Sequence, residues 1–269
     1  MINQRDIEFN LSNNNNNSIL QTVGLTKYFS GLKAIDNIDF CVKEGTIHGL
    51  IGPNGAGKTT FLNLISGLLP ATSGKILLYS EDITNSKPSR IASKGVSRTF
   101  QAGKLDPNMT TLENVMTGLY VKTRLDLLGT FFRIPFTSSA QEKKIRKEAL
   151  ELLNLVGLAD SAERWAKQLV WEERQLVQMA RAIAAKPKLL MLDEPTGGMG
   201  LQESIRVEEI IRKVRKEFGV TVIVVAHDVR LVMDISDIVT CINFGKKIAE
   251  GEPKKIQSDP IVLEAYLGK

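Results

Sequence analysis

The apolar positions of this chain change period repeatedly, and each change marks the border of an element. Three short runs are almost continuously apolar: residues 47–51, 188–192 and 220–225. Their length and β-branched content fit strands covered on both faces, as in a parallel sheet. Residues 74–79 and 238–244 read as further strands. Helical spacing appears over residues 60–65, 203–218 and 229–235. It is clearest over residues 140–156, where Ile145, Ala149, Leu152, Leu153 and Val156 share one face and basic residues the other. From residue 188 onward strands and helices alternate, which predicts a parallel sheet wrapped by helices.

Residues 19–51 instead carry short strand patterns separated by turns at Ser30-Gly31 and Lys43-Glu44-Gly45. They predict an N-terminal antiparallel β-region. Residues from about 102 to 185 are mostly helical by periodicity and form a helical subdomain. Residues 1–18 end in five consecutive asparagines, Asn13 to Asn17, and hold too few apolar side chains to offset ordering entropy, so a disordered polar tail is expected there. Residues 19–268 then read as one α/β domain. A chain of 269 residues is long enough to bury a sizeable core.

Charge changes this picture little. The 35 Lys and Arg against 30 Asp and Glu leave a net charge of +5, scattered along the chain. That surplus suits an anionic ligand, a membrane surface or an ordinary solvated exterior, and it does not argue for nucleic acid. Cys41 and Cys241 each sit in a strand-like apolar run and no secretory pattern opens the chain, so free thiols in a reducing cytosol are expected. No stretch approaches the roughly 20 apolar residues of a spanning helix. The nearest, residues 127–136, contains Arg133 and is expected to lie on or against a surface.

The candidate chemistry begins at Gly52-Pro53-Asn54-Gly55-Ala56-Gly57-Lys58-Thr59-Thr60. Set between a predicted strand and a predicted helix, this is a complete phosphate-binding loop, and the fold class expected is a P-loop NTPase core. Glycines let backbone amides curl around phosphates, Lys58 reaches the terminal phosphates, and the Thr59 hydroxyl ligates Mg²⁺. The helix that follows turns its positive end to the anion. At the end of the apolar strand 188–192, Asp193 suits Mg²⁺ coordination and Glu194 the orientation or deprotonation of an attacking water. His227 ends another apolar strand, in line with those carboxylates and placed to contact a γ-phosphate, whereas His48 reads as structural.

In this order the motifs resemble the ATP-binding cassette family. The resemblance assigns Gln101, in Arg98-Thr99-Phe100-Gln101, as the lid glutamine that senses Mg²⁺ and water, and His227 as the switch histidine. It makes Phe29 the aromatic that stacks on adenine, with Tyr28 the weaker candidate. Narrower segments are similar to the ATPases of branched-chain amino-acid uptake systems: Met109-Thr110-Thr111-Leu112-Glu113-Asn114-Val115, Leu231-Val232-Met233-Asp234, and the ending Ala265-Tyr266-Leu267-Gly268. The resemblance implies ATP with Mg²⁺, a second cassette, integral membrane permease subunits, a solute-binding protein acting indirectly, and a peripheral place on the cytoplasmic face of the membrane. Branched-chain or other amino acids are the solutes it implies, with urea or amides as an alternative.

One motif departs from the family. A cassette carries Leu-Ser-Gly-Gly-Gln, or a near variant, 24 positions before the second motif's aspartate. Here Leu169 holds that spacing from Asp193 but is followed by Val170, Trp171, Glu172 and Glu173. Gly200 stands where the family's interface loop usually has Asp or Asn. Two readings stay open: a helix start that no longer sees ATP, and a direct loss of function at the partner's nucleotide. Both predict a chain that turns over poorly alone and works as a heterodimer, or a regulatory cassette that does not hydrolyse.

Overall fold

The computed structural model describes residues 17–99, 105–127, 139–226 and 229–267. Strands β1 (Ser18–Phe29), β2 (Leu32–Lys43) and β3 (Ile47–Ile51) lead to helix α1 (Lys58–Ile65), then β4 (Ser73–Leu78), β5 (Glu81–Asp82), α2 (Pro88–Ser93) and β6 (Val96–Arg98). Helices α3 (Thr111–Leu127), α4 (Ser139–Leu155) and α5 (Trp171–Ala184) follow. The rest alternates: β7 (Leu189–Asp193), α6 (Leu201–Phe218), β8 (Thr221–Val225), α7 (Val229–Ile235), β9 (Ile238–Asn243), β10 (Lys246–Gly251), α8 (Pro253–Gln257) and α9 (Pro260–Leu267).

The apolar runs form the middle of a six-stranded sheet of order β10-β9-β3-β8-β7-β6. Its strands are parallel except β10, which pairs antiparallel with β9. Every residue of β3, β7 and β8 is buried, which is why their sequences are continuously apolar instead of alternating. The carboxyl ends of β3 and β7 lie at one edge with only β8 between them, so the segments that leave those strands meet in space.

The antiparallel sheet β2-β1-β4-β5 is the expected N-terminal β-region. Helix α1 packs with both sheets: Phe61 and Leu62 share a core with Ile19, Leu25 and Phe40 of one and Met191 and Ile223 of the other. Phe40 meets Phe61 edge-on at 5.1 Å. A second core joins Val115, Leu153 and Val177 of α3, α4 and α5 to Leu190, Leu192 and Val224. All five residues expected on the apolar face of α4 and its C-terminal end are buried.

The structure departs from expectation at one boundary and in several short elements. Ser18 already pairs with Lys43, and the Asn17 carbonyl accepts the Glu44 amide, so the first strand begins inside the segment expected to be a tail. Strands β5, β6 and β10 and helices α2, α8 and α9 have no counterpart among the expected elements. Residues 1–16 lie outside the described residues, as do residues 128–138, which take in most of the apolar stretch 127–136. Cys41 and Cys241 are both free thiols. Among the described residues no helix is long and apolar enough to cross a membrane.

Candidate functional site

Strand β3 runs into the loop 52–57, and two glycines there are required by space as well as by conformation. Gly52 has φ 153°, and a Cβ on it would lie 2.1 Å from the Ile242 carbonyl oxygen. Gly57 has φ 106° and would place a Cβ 2.6 Å from the Ala34 carbonyl. Gly57 is also the N-cap of α1, with no side chain capping the helix and no acidic residue in its first turn. The amides at that end are left for an anion from outside. Lys58 is buried, and its ammonium donates to the carbonyls of Gly52 at 2.6 Å and Pro53 at 3.0 Å. Burial lowers its pKa, while the charges of Glu194 and Asp193 oppose that shift.

At the end of β7, Asp193 is buried, and its Oδ2 accepts from the Arg98 guanidinium at 2.8 Å. Arg98 also donates to the Asn63 side chain at 2.8 Å and to Ser66 Oγ at 3.1 Å. This side chain thus ties the end of β6 to α1 and to β7. Asp193 Oδ1 is buried and has no hydrogen-bond partner among the described residues. A carboxylate with one oxygen committed and one open suits a hard cation, and Mg²⁺ is commonly held by one or two protein carboxylates with phosphates and water. Glu194 adopts φ 53°, held there by its amide donating to the Val225 carbonyl at 2.7 Å.

A cleft of about 650 Å³ gathers these groups. It is lined by residues 54–60 together with Phe29, Lys33, Ala34, Glu194, Phe244 and Gly245, so Asn54, Gly55, Ala56, Gly57, Lys58, Thr59, Thr60, Phe29 and Glu194 meet in one place. Phe29 lines it and Tyr28 does not. Gly52 and Pro53 form the base of the loop, and Asp193 immediately precedes Glu194 at the end of β7. Gln101 and His227 lie outside the described residues. His48 is buried within β3, its Nε2 2.8 Å from Thr240 Oγ1.

The segment at the signature position is built differently. Val170 caps α5, and its amide donates to the Glu173 carboxylate at 3.0 Å. Glu173 in turn takes the Arg164 guanidinium at 2.7 Å. Trp171 donates from Nε1 to the Gly197 carbonyl at 2.8 Å, fastening α5 to the loop after β7. Gly200 is the N-cap of α6, and a Cβ there would meet Glu203 Oε2 at 2.6 Å.

Residues 35–197 match the ABC transporter family. The chain belongs to that family. Residues 246–269 match a second family, branched-chain amino acid ATP-binding cassette transporter. The high-affinity branched-chain amino acid transport ATP-binding protein BraF of Pseudomonas aeruginosa is 38% identical over 93% of this chain and 98% of its own length. LivG of Escherichia coli, of the same description, is 35% identical over 93% of this chain and 98% of its own length. Among solved structures, the ADP conformation of MJ1267, an ATP-binding cassette of an ABC transporter, is similar with TM-score 0.80 and 31% identity, covering 94% of this chain and 99% of that one. The dimeric post-hydrolysis state of the cassette MJ0796 bound to ADP and Pi gives TM-score 0.75 at 27% identity, covering 87% and 98%.

Three contacts of this cassette escape a reading of the sequence. Arg98 opens the segment of the lid glutamine, and nothing local signals a partner 95 positions away. Phe244 falls in a predicted strand, but it sits at the β9–β10 turn with φ 46°, 83% exposed on the rim of the cleft. Tyr266 belongs to the ending Ala265-Tyr266-Leu267-Gly268, yet its hydroxyl reaches Gly52.

Proposed function

We propose that this chain is the ATP-hydrolysing subunit of an importer for branched-chain amino acids, docked on permease subunits at the cytoplasmic face of a membrane and served by a separate solute-binding protein. The observation that carries the reading is the convergence, in one cleft, of the uncapped start of α1, Lys58 and Glu194. The names of BraF and LivG support the solute class.

In this reading the amides that follow Pro53 and the Lys58 ammonium hold the phosphates, and Phe29 stacks on the base. Thr59 and Asp193 hold Mg²⁺, with Oδ1 of Asp193 as the available acceptor. When bound, Mg²⁺ neutralises charge on the phosphate oxygens. Glu194 orients a water for in-line attack on the γ-phosphorus and takes its proton. Gln101 and His227 take the lid and switch roles that the resemblance implies.

The second half of the site comes from a different cassette. In a cassette dimer the signature segment of one subunit binds the γ-phosphate held by the other. Val170 has no hydroxyl to offer, and Glu173 already occupies the amide at the start of α5. Loss of one such donor costs about 2.7–4 kcal/mol of transition-state stabilisation. We therefore assign the working unit as a heterodimer in which this chain binds and cleaves ATP against its partner's intact signature.

Steady-state ATPase of the purified chain, alone and with the permease and a second cassette, tests both statements. Turnover is expected only in the complex, and Glu194→Gln there lowers it about 10²–10⁴-fold. Robust turnover of the isolated chain sinks the heterodimer. ATP binding without turnover in the complex selects the regulatory cassette, the reading that the altered signature also favours.

A further inference from the structure

The ending Ala265-Tyr266-Leu267-Gly268 has no part in the phosphate chemistry above, yet it touches the phosphate loop. Tyr266 Oη accepts the Gly52 amide at 2.9 Å, 214 positions away. Gly52 is the first residue of the loop and is buried, and its own carbonyl accepts the Lys58 ammonium. One residue is therefore held at both ends, by the C-terminal helix through its N–H and by the loop lysine through its oxygen. A third side is closed by the Ile242 carbonyl, against which no Cβ fits.

The helix itself rests lightly. Of α9, Val262 is its buried residue, while Ile261, Leu263 and Leu267 are largely exposed. A cleft of about 470 Å³ separates Ile261, Glu264 and Ala265 from Pro53, Asn54 and Ala56. Tyr266, next to Ala265 in the helix, is the residue whose hydroxyl reaches the loop. Burial pushes its pKa up to about 12, so it stays a neutral phenol that does not add an anion behind the phosphates.

We infer that Tyr266 is a positioning residue of the phosphate loop: its hydroxyl fixes Gly52, and through the Gly52 carbonyl the resting place of Lys58, so that the C-terminal helix sets nucleotide affinity. This rests on the ATP reading above. An orphaned buried amide lets the start of the loop relax toward other partners, and Lys58 moves with it.

The test is titration of the full chain with magnesium and N-methylanthraniloyl-ATP, alongside thermal unfolding without nucleotide. Tyr266→Phe keeps the ring and loses the acceptor, and it is expected to raise Kd about tenfold. Val262→Ala loosens the packing of α9 but keeps the hydroxyl, and it is expected to lower Tm while Kd stays within about twofold of the parent. A Tyr266→Phe chain that binds within about twofold of the parent overturns the inference. Equal weakening by both variants also overturns it, since the helix would then act only as packing. A parent chain with no saturable binding brings down the nucleotide reading first, and this one with it.

Discussion

Helices α1 and α5 begin in the same physical condition and resolve it in opposite ways. Each start carries unsatisfied amides and the positive end of a helix dipole. At α1 the cap is a glycine and the first turn has no acid, so the chain supplies no anion of its own. At α5 the first turn holds Glu172 and Glu173, and Glu173 returns to the Val170 amide while Arg164 balances its charge. An anion site is thus a helix start that the chain declines to satisfy. At the signature position the chain answers one of those amides itself, that of Val170, and sets two carboxylates of its own in the first turn.

The largest effect is expected from acid, at the strand that leads into the open helix start. His48 lies in β3, directly behind the phosphate loop, and burial lowers its pKa from the ordinary 6.5 to about 3. Below pH 6.5 the unfolded chain takes up a proton that the folded chain refuses until about pH 3. Stability is therefore lost as pH falls through that window, by roughly 4–5 kcal/mol at its lower end. Urea unfolding between neutral pH and about pH 4 measures the slope, and His48→Gln should flatten it; parallel slopes would show that His48 is not the source.

Next comes the contrast of ion pairs. Arg98 and Asp193 are almost fully buried, with 4% and 2% of their side chains exposed, whereas Arg164 and Glu173 keep 41% and 21%. Arg98→Ala should cost about 3–5 kcal/mol in chemical denaturation, because it leaves a buried carboxylate without its cation. A loss below about 1 kcal/mol would mean that water reaches Asp193.

Rebuilding the second helix start sharpens the comparison in the other direction. Val170→Ser, Trp171→Gly, Glu172→Gly and Glu173→Gln together should raise the ATPase of the isolated chain about 10²-fold by letting two copies complete each other's sites. No gain would place the defect elsewhere, for example at Gly200. The smallest effect is expected from Arg164→Ala, under about 1 kcal/mol by thermal unfolding, since solvent screens that pair.

The legible parts of the fold were those where burial is total. Strands β3, β7 and β8 are covered on both faces, and a continuous apolar run of five or six residues between turns fits little besides a strand inside a sheet. Strand β6 was hidden because it is three residues long and two of them are Ser97 and Arg98. Strand β10 was hidden because it is a polar sheet edge with no buried residue. The loop 52–60 could be read because backbone geometry demands glycine at fixed places. Arg98 on Asp193 and Tyr266 on Gly52 could not, because one hydroxyl or guanidinium meeting a distant strand leaves no period in the chain.

The lysine that rests on its own loop carries a last consequence. An ammonium carries three N–H donors, and two of those on Lys58 already go to carbonyls of its own loop, so an arriving anion meets a cation that the protein has partly solvated. The loop thus enters the reaction with its cation already placed by its own backbone.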